Sequence, residues 1–255
     1  MSVERILCKI ALVGATSLTI MAIGSPASAQ TYTIGVENTA YLPAYSFEDG
    51  EYRGYARRML DAFAQDSGYR FEYRSMPVIR LFASLVAGDI DLKFPDNAYW
   101  AQDVKKGQTV IYSQPAVAYI DGVSVLANRK GAAIDTVKTL GIVRGFTAWD
   151  WLDRIKNGSV ALHENNSFTA LLETTLAERN NGAYGNIAVV QYQLRQVLKK
   201  PGALVFDPSL PHTRSNYHLS TIKHPDLIRK FDLWLAQNAE RLAQWKQELG
   251  VDVTM

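Results

Sequence analysis

The sequence predicts an α/β fold in two lobes, and three observations lead there. Strand-like and helix-like segments alternate after residue 30, and the alternation restarts near Ala118. Neither a repeat of solenoid period nor a low-complexity linker interrupts it. Alternation of this kind builds sheets covered by crossover helices.

The first segment stands outside the alternation. "MSVERILCKIALVGATSLTIMAIGSPASAQ" has Arg5 and Lys9 ahead of an apolar stretch, then the small-residue site Ala27-Ser28-Ala29. That layout predicts a cleavable export signal over residues 1–29, cut before Gln30. The apolar run from Ile10 to Ile23 is short of the roughly 20 residues needed to span a bilayer. Cys8 precedes that run, so it does not sit where a lipid-modified cysteine would follow one. A mature chain of 226 residues is expected, with no disulfide because Cys8 is the only cysteine. Loss of Arg5, Lys9 and Glu4 leaves 25 basic against 24 acidic residues. Such a balance gives no electrostatic case for nucleic acid or an anionic membrane. Stability then rests on a core, and the length suffices for one or two lobes.

In the first set, "YTIGV" (32–36) predicts a strand and "GYARRMLDAFAQDSG" (54–68) a helix. Met59, Leu60 and Phe63 share its face, and Gly68 is its stop. "RFEYRS" (70–75) alternates as a strand does. "PVIRLFASLVAG" (77–88) is a helix between Pro77 and Gly88. "DIDLKF" and "TVIYS" (109–113) are the next strands.

The second set begins with the β-rich run "AYIDGVSVLANR" (118–129). "TLGIVRG" (139–145) leads through Gly145 into a helix, "TAWDWLDRIKNG" (147–158). "SFTALLETTLAERNNG" (167–182) places Phe168, Leu171, Leu172 and Leu176 on one helical face. "AYGNIAVVQYQL" (183–194) and "ALVFD" (203–207) complete this set. "NYHLSTI" (216–222) and a helical tail with Leu235, Leu242, Trp245 and Leu249 on one stripe close the chain.

The ordered stretches "YTIGVENTAYLPAYSFEDGEYRGYARRMLDAFAQDSG", "RFEYRSMP", "LVAGDIDLKF", "YSQPAVAY", "LGIVRGFTAWDWL", "NNGAYGNIAVVQYQL" and "HPDLIRKFDLWLAQNAERLAQWKQELG" carry a resemblance. Together they resemble family 3 of the bacterial extracellular solute-binding proteins, over nearly all of residues 31–250. Each motif is weak alone, and their order and spacing make the likeness specific. The resemblance implies a type II periplasmic-binding fold, two lobes joined by two crossing strands that close on a ligand by hinge motion. The first lobe would be residues 31–116 plus 212–255, and the second 117–211. It further implies a monomeric periplasmic receptor for a small polar or anionic solute, served by a membrane permease or receptor.

Ligands of open α/β sheets bind beyond the carboxyl ends of strands. "KFPDNAYW" (93–100) lies there, so Lys93, Asp96 and Asn97 are candidates; a surface loop turned by Pro95 is the alternative. Tyr41 and Tyr45 lie in the loop where the family places an aromatic against the ligand, though either can instead pack that loop. Arg80, in the first turn of its helix, suits a bidentate grip on a carboxylate. Arg144 and Thr147 flank a helix start whose free N–H groups accept anions, and Thr147 equally suits an N-cap. Asn186 stands where relatives hold the α-ammonium group with a carboxylate.

The usual amino-acid clamp is incomplete in this chain. "AQDVKKGQTVIYSQP" offers Lys105 or Lys106 and no arginine where the family carries one. An organic acid, or an amino acid held differently, fits that departure. No cofactor is expected, and no metal, because His163, His212, His218 and His224 show no ligating spacing. No G-x-S-x-G elbow, phosphate loop or mature cysteine nucleophile points to catalysis. The alternative on the same fold is a dehydratase of prephenate-like acids, with Glu37, Asp96 or Glu164 as general acid. A ligand-sensing module for a membrane receptor would have the same sequence features.

Overall fold

A computed structural model describes residues 29–251. The export segment, apart from Ala29, lies outside the described residues, as does Cys8. The chain begins with β1 (Gln30–Glu37) and a small hairpin sheet of β2 (Ala40–Tyr41), β3 (Tyr45–Glu48) and β4 (Glu51–Arg53). It continues through α1 (Tyr55–Ser67), β5 (Tyr69–Met76), α2 (Val78–Ala87), β6 (Leu92–Asp96), α3 (Gln102–Lys105) and β7 (Ile111–Tyr112). Next come β8 (Val117–Leu126), β9 (Thr139–Val143), α4 (Leu152–Lys156), β10 (Ala161–Asn165) and α5 (Phe168–Leu176). The remainder is β11 (Gly182–Asn186), α6 (Ile187–Tyr192), β12 (Leu204–Phe206), β13 (Thr213–Thr221), α7 (Pro225–Gln237) and α8 (Ala239–Leu249).

The strands follow the order β10-β9-β11-β8-β13-β6-β1-β5, with β12 beside β8 and β7 beside β13. Each half has parallel ladders: β1 with β5 and β6 in one, β9 with β10 and β11 in the other. The halves meet along an antiparallel pair. Residues 213–217 of β13 pair with 121–117 of β8; His218 and Ser220 then pair with Asp96 and Lys93 of β6. These two long strands therefore pass between lobes, and the carboxyl ends of the parallel strands face the junction.

Local chemistry explains the helix limits. α1 buries Tyr55, Met59, Leu60 and Phe63, and ends at Gly68, whose φ of 70° suits a residue without a Cβ. α2 buries Val78, Leu81, Phe82 and Leu85, and ends in the same way at Gly88. α7 packs its Phe231 and Trp234 on Phe63 of α1, with centroids 5.0 and 5.7 Å away. The second lobe has its own core of Val123, Leu140, Ile142, Trp151, Tyr184 and Leu210.

Two stretches depart from the sequence expectation. The helix expected over 147–158 is a single 3₁₀ turn, Trp149–Trp151, followed by the five-residue α4. Trp151 is fully buried, and its Nε1 donates to the Pro211 carbonyl at 3.1 Å, so tertiary anchoring shapes this turn. Thr147 makes no side-chain cap there. "AYGNIAVVQYQL" breaks at Asn186, whose Oδ1 accepts from the N–H groups of Ala188 and Val189 and so starts α6.

Candidate ligand site between the lobes

A narrow cavity of about 20 Å³ lies at the junction. Glu37, Tyr41, Tyr45, Val78, Phe82 and Trp100 line one side; Gly145, Phe146, Thr147 and Tyr184 line the other. Asp121 of β8 and Tyr217 of β13, on the crossing strands, complete the wall. Glu37 ends β1, and Gly145–Thr147 follow β9, so strand ends place the walls as the open-sheet rule requires.

The charged groups of this lining are both acids. Glu37 is 2% exposed and accepts from the Tyr45 hydroxyl at 2.6 Å. Burial pushes its carboxyl up, against the opposing pull of Lys93 and that hydrogen bond. Asp121 pairs in the ladder with both Thr213 and Asn186. Its Oδ1 is sealed from solvent and has no hydrogen-bond partner. Burial, then the nearby Glu37 and Asp150 charges, pushes this carboxyl up to about 8. It therefore holds a proton at neutral pH.

Aromatic rings frame the acids. Tyr41 packs 5.0 Å from both Tyr45 and Phe168 and 5.6 Å from Phe146, spanning the two lobes. Its hydroxyl accepts from the Asn186 N–H at 3.0 Å. Tyr217 stacks on Tyr119 at 4.4 Å, and its hydroxyl accepts from Asn186 Nδ2 at 3.2 Å. Burial holds the Tyr41, Tyr45 and Tyr217 hydroxyls well above the ordinary phenol range, so they remain neutral. A roomier chamber of about 250 Å³ adjoins, sharing Trp100, Asp121, Thr147 and Tyr184 and adding Asn97, Trp149 and Arg214. Tyr99 and Trp149 meet beside it at 5.1 Å.

The structure distributes the sequence candidates unevenly. Tyr41, Tyr45 and Thr147 line the inner cavity, and Asn97 lines the outer chamber. Asn186 sits behind the wall as an N-cap and tyrosine anchor. Arg80 is exposed on α2 and lines neither chamber, because Val78, Leu81, Phe82 and Leu85 take the inward face. Arg144 is exposed and pairs with Glu164 at 3.3 Å. Lys93 and Asp96 are wholly buried under the cleft floor. Asp96 accepts from Lys105 Nζ at 2.8 Å and Ser220 Oγ at 2.6 Å, while Lys93 donates to the Pro95 carbonyl. Lys93 Nζ also lies 4.2 Å from the Phe82 centroid, on the back of a cavity wall.

Asp121, Trp100, Phe82, Phe146, Tyr184 and Tyr217 are lining residues that sequence reasoning did not select. For Asp121 a signal existed: an acid inside the apolar run "AYIDGVSV". Among the described residues, no group of three or more His, Cys, Asp or Glu is placed to hold a metal ion. No helix among them is long and apolar enough to cross a membrane.

Two α/β lobes meeting at a lined cavity, and joined by paired crossing strands, define a type II binding-protein fold. The chain belongs to the bacterial extracellular solute-binding proteins, family 3, whose model matches residues 32–245. Solved structures share this architecture at low identity. An ancestral arginine-binding protein bound to arginine aligns with TM-score 0.70 and 16% identity, over 88% of this chain and 99% of that one. A histidine kinase sensor domain with similarity to periplasmic binding proteins gives 0.72 and 16%, over 87% and 96%. A solute receptor for L-cysteine from Neisseria gonorrhoeae gives 0.68 and 15%, over 86% and 89%. No curated protein matches the chain.

Proposed function

We propose that this chain is a periplasmic receptor that closes two lobes, residues 31–116 plus 212–255 and 117–211, on one small polar solute. The observation that carries this reading is the cavity walled by both lobes and the crossing strands. Tyr41 supports it, since this first-lobe residue packs on Phe146 and Phe168 and accepts from Asn186. Delivery to an ABC-type permease fits the family. The likeness to a kinase sensor domain favours reporting to a membrane receptor as the variant of the same binding event.

Asp121 favours a second reading. A carboxyl pushed up to about 8 is a proton donor at neutral pH, which a dehydratase needs. A prephenate-like acid brings carboxylates, however, and the inner lining has no Lys, Arg or His to meet them. Binding without turnover is the better fit.

Thermal unfolding of residues 30–255 against amino acids, amines, organic acids and prephenate-like acids tests the reading. Ligand at 100 times its dissociation constant stabilises by about 2.7 kcal/mol. A raised melting temperature with the solute recovered intact is the expected result. A solute that is consumed would establish the dehydratase instead.

A further inference from the structure

Resting on the receptor reading, we infer that the inner cavity takes a compact organic cation that carries no carboxylate, an amine or a quaternary ammonium. The distribution of charge carries the argument. Two lysines are buried beneath the cavity, and both have acids to answer. Lys105 pairs with Asp96 at 2.8 Å. Lys93 lies 3.9 Å from Asp96 and acts on Glu37, which also holds the Tyr45 hydroxyl. Asp121 has no such compensation: the charges acting on it are Glu37 and Asp150, both acidic, and its sealed Oδ1 lacks a partner. A buried carboxylate is stable only when paired. Asp121 therefore stays protonated in the free protein, and a bound cation would displace that proton and pair with the carboxylate.

The walls suit that charge. Tyr45, Trp100, Phe146 and Tyr217 surround the acids with aromatic rings, whose faces attract a desolvated ammonium. A carboxylate finds no matching side chain there. Arg80 is exposed, and Arg144 is exposed and committed to Glu164. The hydroxyls of Tyr41 and Tyr45 are held by Asn186 and Glu37. An amino acid's ammonium is served by this lining, and its carboxylate finds no cationic side chain there. Removing the carboxylate removes that mismatch.

The test uses matched pairs that differ in the carboxylate: agmatine with arginine, histamine with histidine, choline with glycine betaine, and succinate as the anionic control. Protein exported and purified from the full-length chain is titrated by calorimetry. The amine or choline of at least one pair is expected to bind about 30-fold or more tightly than its carboxylated partner. Asp121→Asn should lower that affinity by about 30-fold or more, since the cation is left buried and unpaired. Retention of the free protein's cooperative melt shows that the variant folds.

Choline adds a readout that a structural role would not move, because its charge does not titrate. Glu37, Asp150 and the hydroxyls of Tyr41, Tyr119, Tyr184 and Tyr217 are the titratable groups that act with Asp121. Choline affinity should rise with pH towards about 8 in the wild type, and much less in Asp121→Asn. Tighter binding of a carboxylated partner or succinate, or unchanged affinity in Asp121→Asn, overturns the cation inference and leaves the receptor standing. Silence from every compound at millimolar concentration overturns both.

Discussion

Asp121 shows how a residue becomes functional through its surroundings. It sits at mid-strand between β11 and β13, where neither a turn nor a cap employs its carboxylate, half-buried with its Oδ1 sealed from solvent. Its raised pKa also makes a stability statement. An acid raised from about 4 to about 8 contributes stability that is fully present below the lower value. That contribution is lost as pH rises towards the upper one. The ligand-free protein should therefore melt at progressively lower temperature from about pH 5 to about pH 8, and Asp121→Asn should flatten the slope. Scanning calorimetry at fixed ionic strength measures this; equal slopes would mean that Asp121 ionises freely in the folded state. In the sequence Glu37 stands out only as a general acid, and Asp121 does not stand out. Strand periodicity tells which face a residue occupies, not which carboxylates three strands will enclose.

Elements whose limits rest on local chemistry were the legible ones. Gly68 and Gly88 stop α1 and α2 where expected, because the left-handed backbone there, φ 70° and 77°, is read directly from a glycine. The end of β6 was legible in position and not in role. Lys93 and Asp96 lie within β6, and Asn97 follows it. Yet Asp96 is met by Lys105 on α3 and by Ser220 from distant β13, while Lys93 donates to the Pro95 carbonyl. Spacing cannot show that a polar cluster is satisfied from behind. The cluster gives a prediction at this scale. Asp96→Ala strands two buried ammonium groups beneath the sheet, so it should destabilise the fold by about 3–5 kcal/mol. Urea unfolding would measure it; a loss under about 1 kcal/mol would mean that the lysines find water.

At the scale of the whole molecule, the two lobes touch where a glycine allows it. Gly145, in the loop after β9, has φ 89°, and a Cβ there would lie 3.0 Å from Ile79 Cγ1 and 3.1 Å from Val78 Cβ on α2. In the sequence Gly145 reads as a helix lead-in. Its use is instead close approach: the second-lobe loop rests on a first-lobe helix at the cavity wall. A branched side chain would act as a wedge, with neither lobe's core disturbed, because the contact lies between them. Gly145→Val should therefore enlarge the radius of gyration measured by X-ray scattering. It should also weaken whichever solute stabilises the wild type by about tenfold, the effect of about 1.4 kcal/mol lost from the closed state. The positive φ adds a local strain of about 1–2 kcal/mol, visible as a modest fall in melting temperature. Gly145→Ala separates the two effects, since it carries the same backbone strain with a smaller wedge. If alanine and valine lower affinity equally, strain in the loop is responsible. If valine alone opens the molecule and loses the ligand, the contact between Gly145 and α2 sets how far the lobes close.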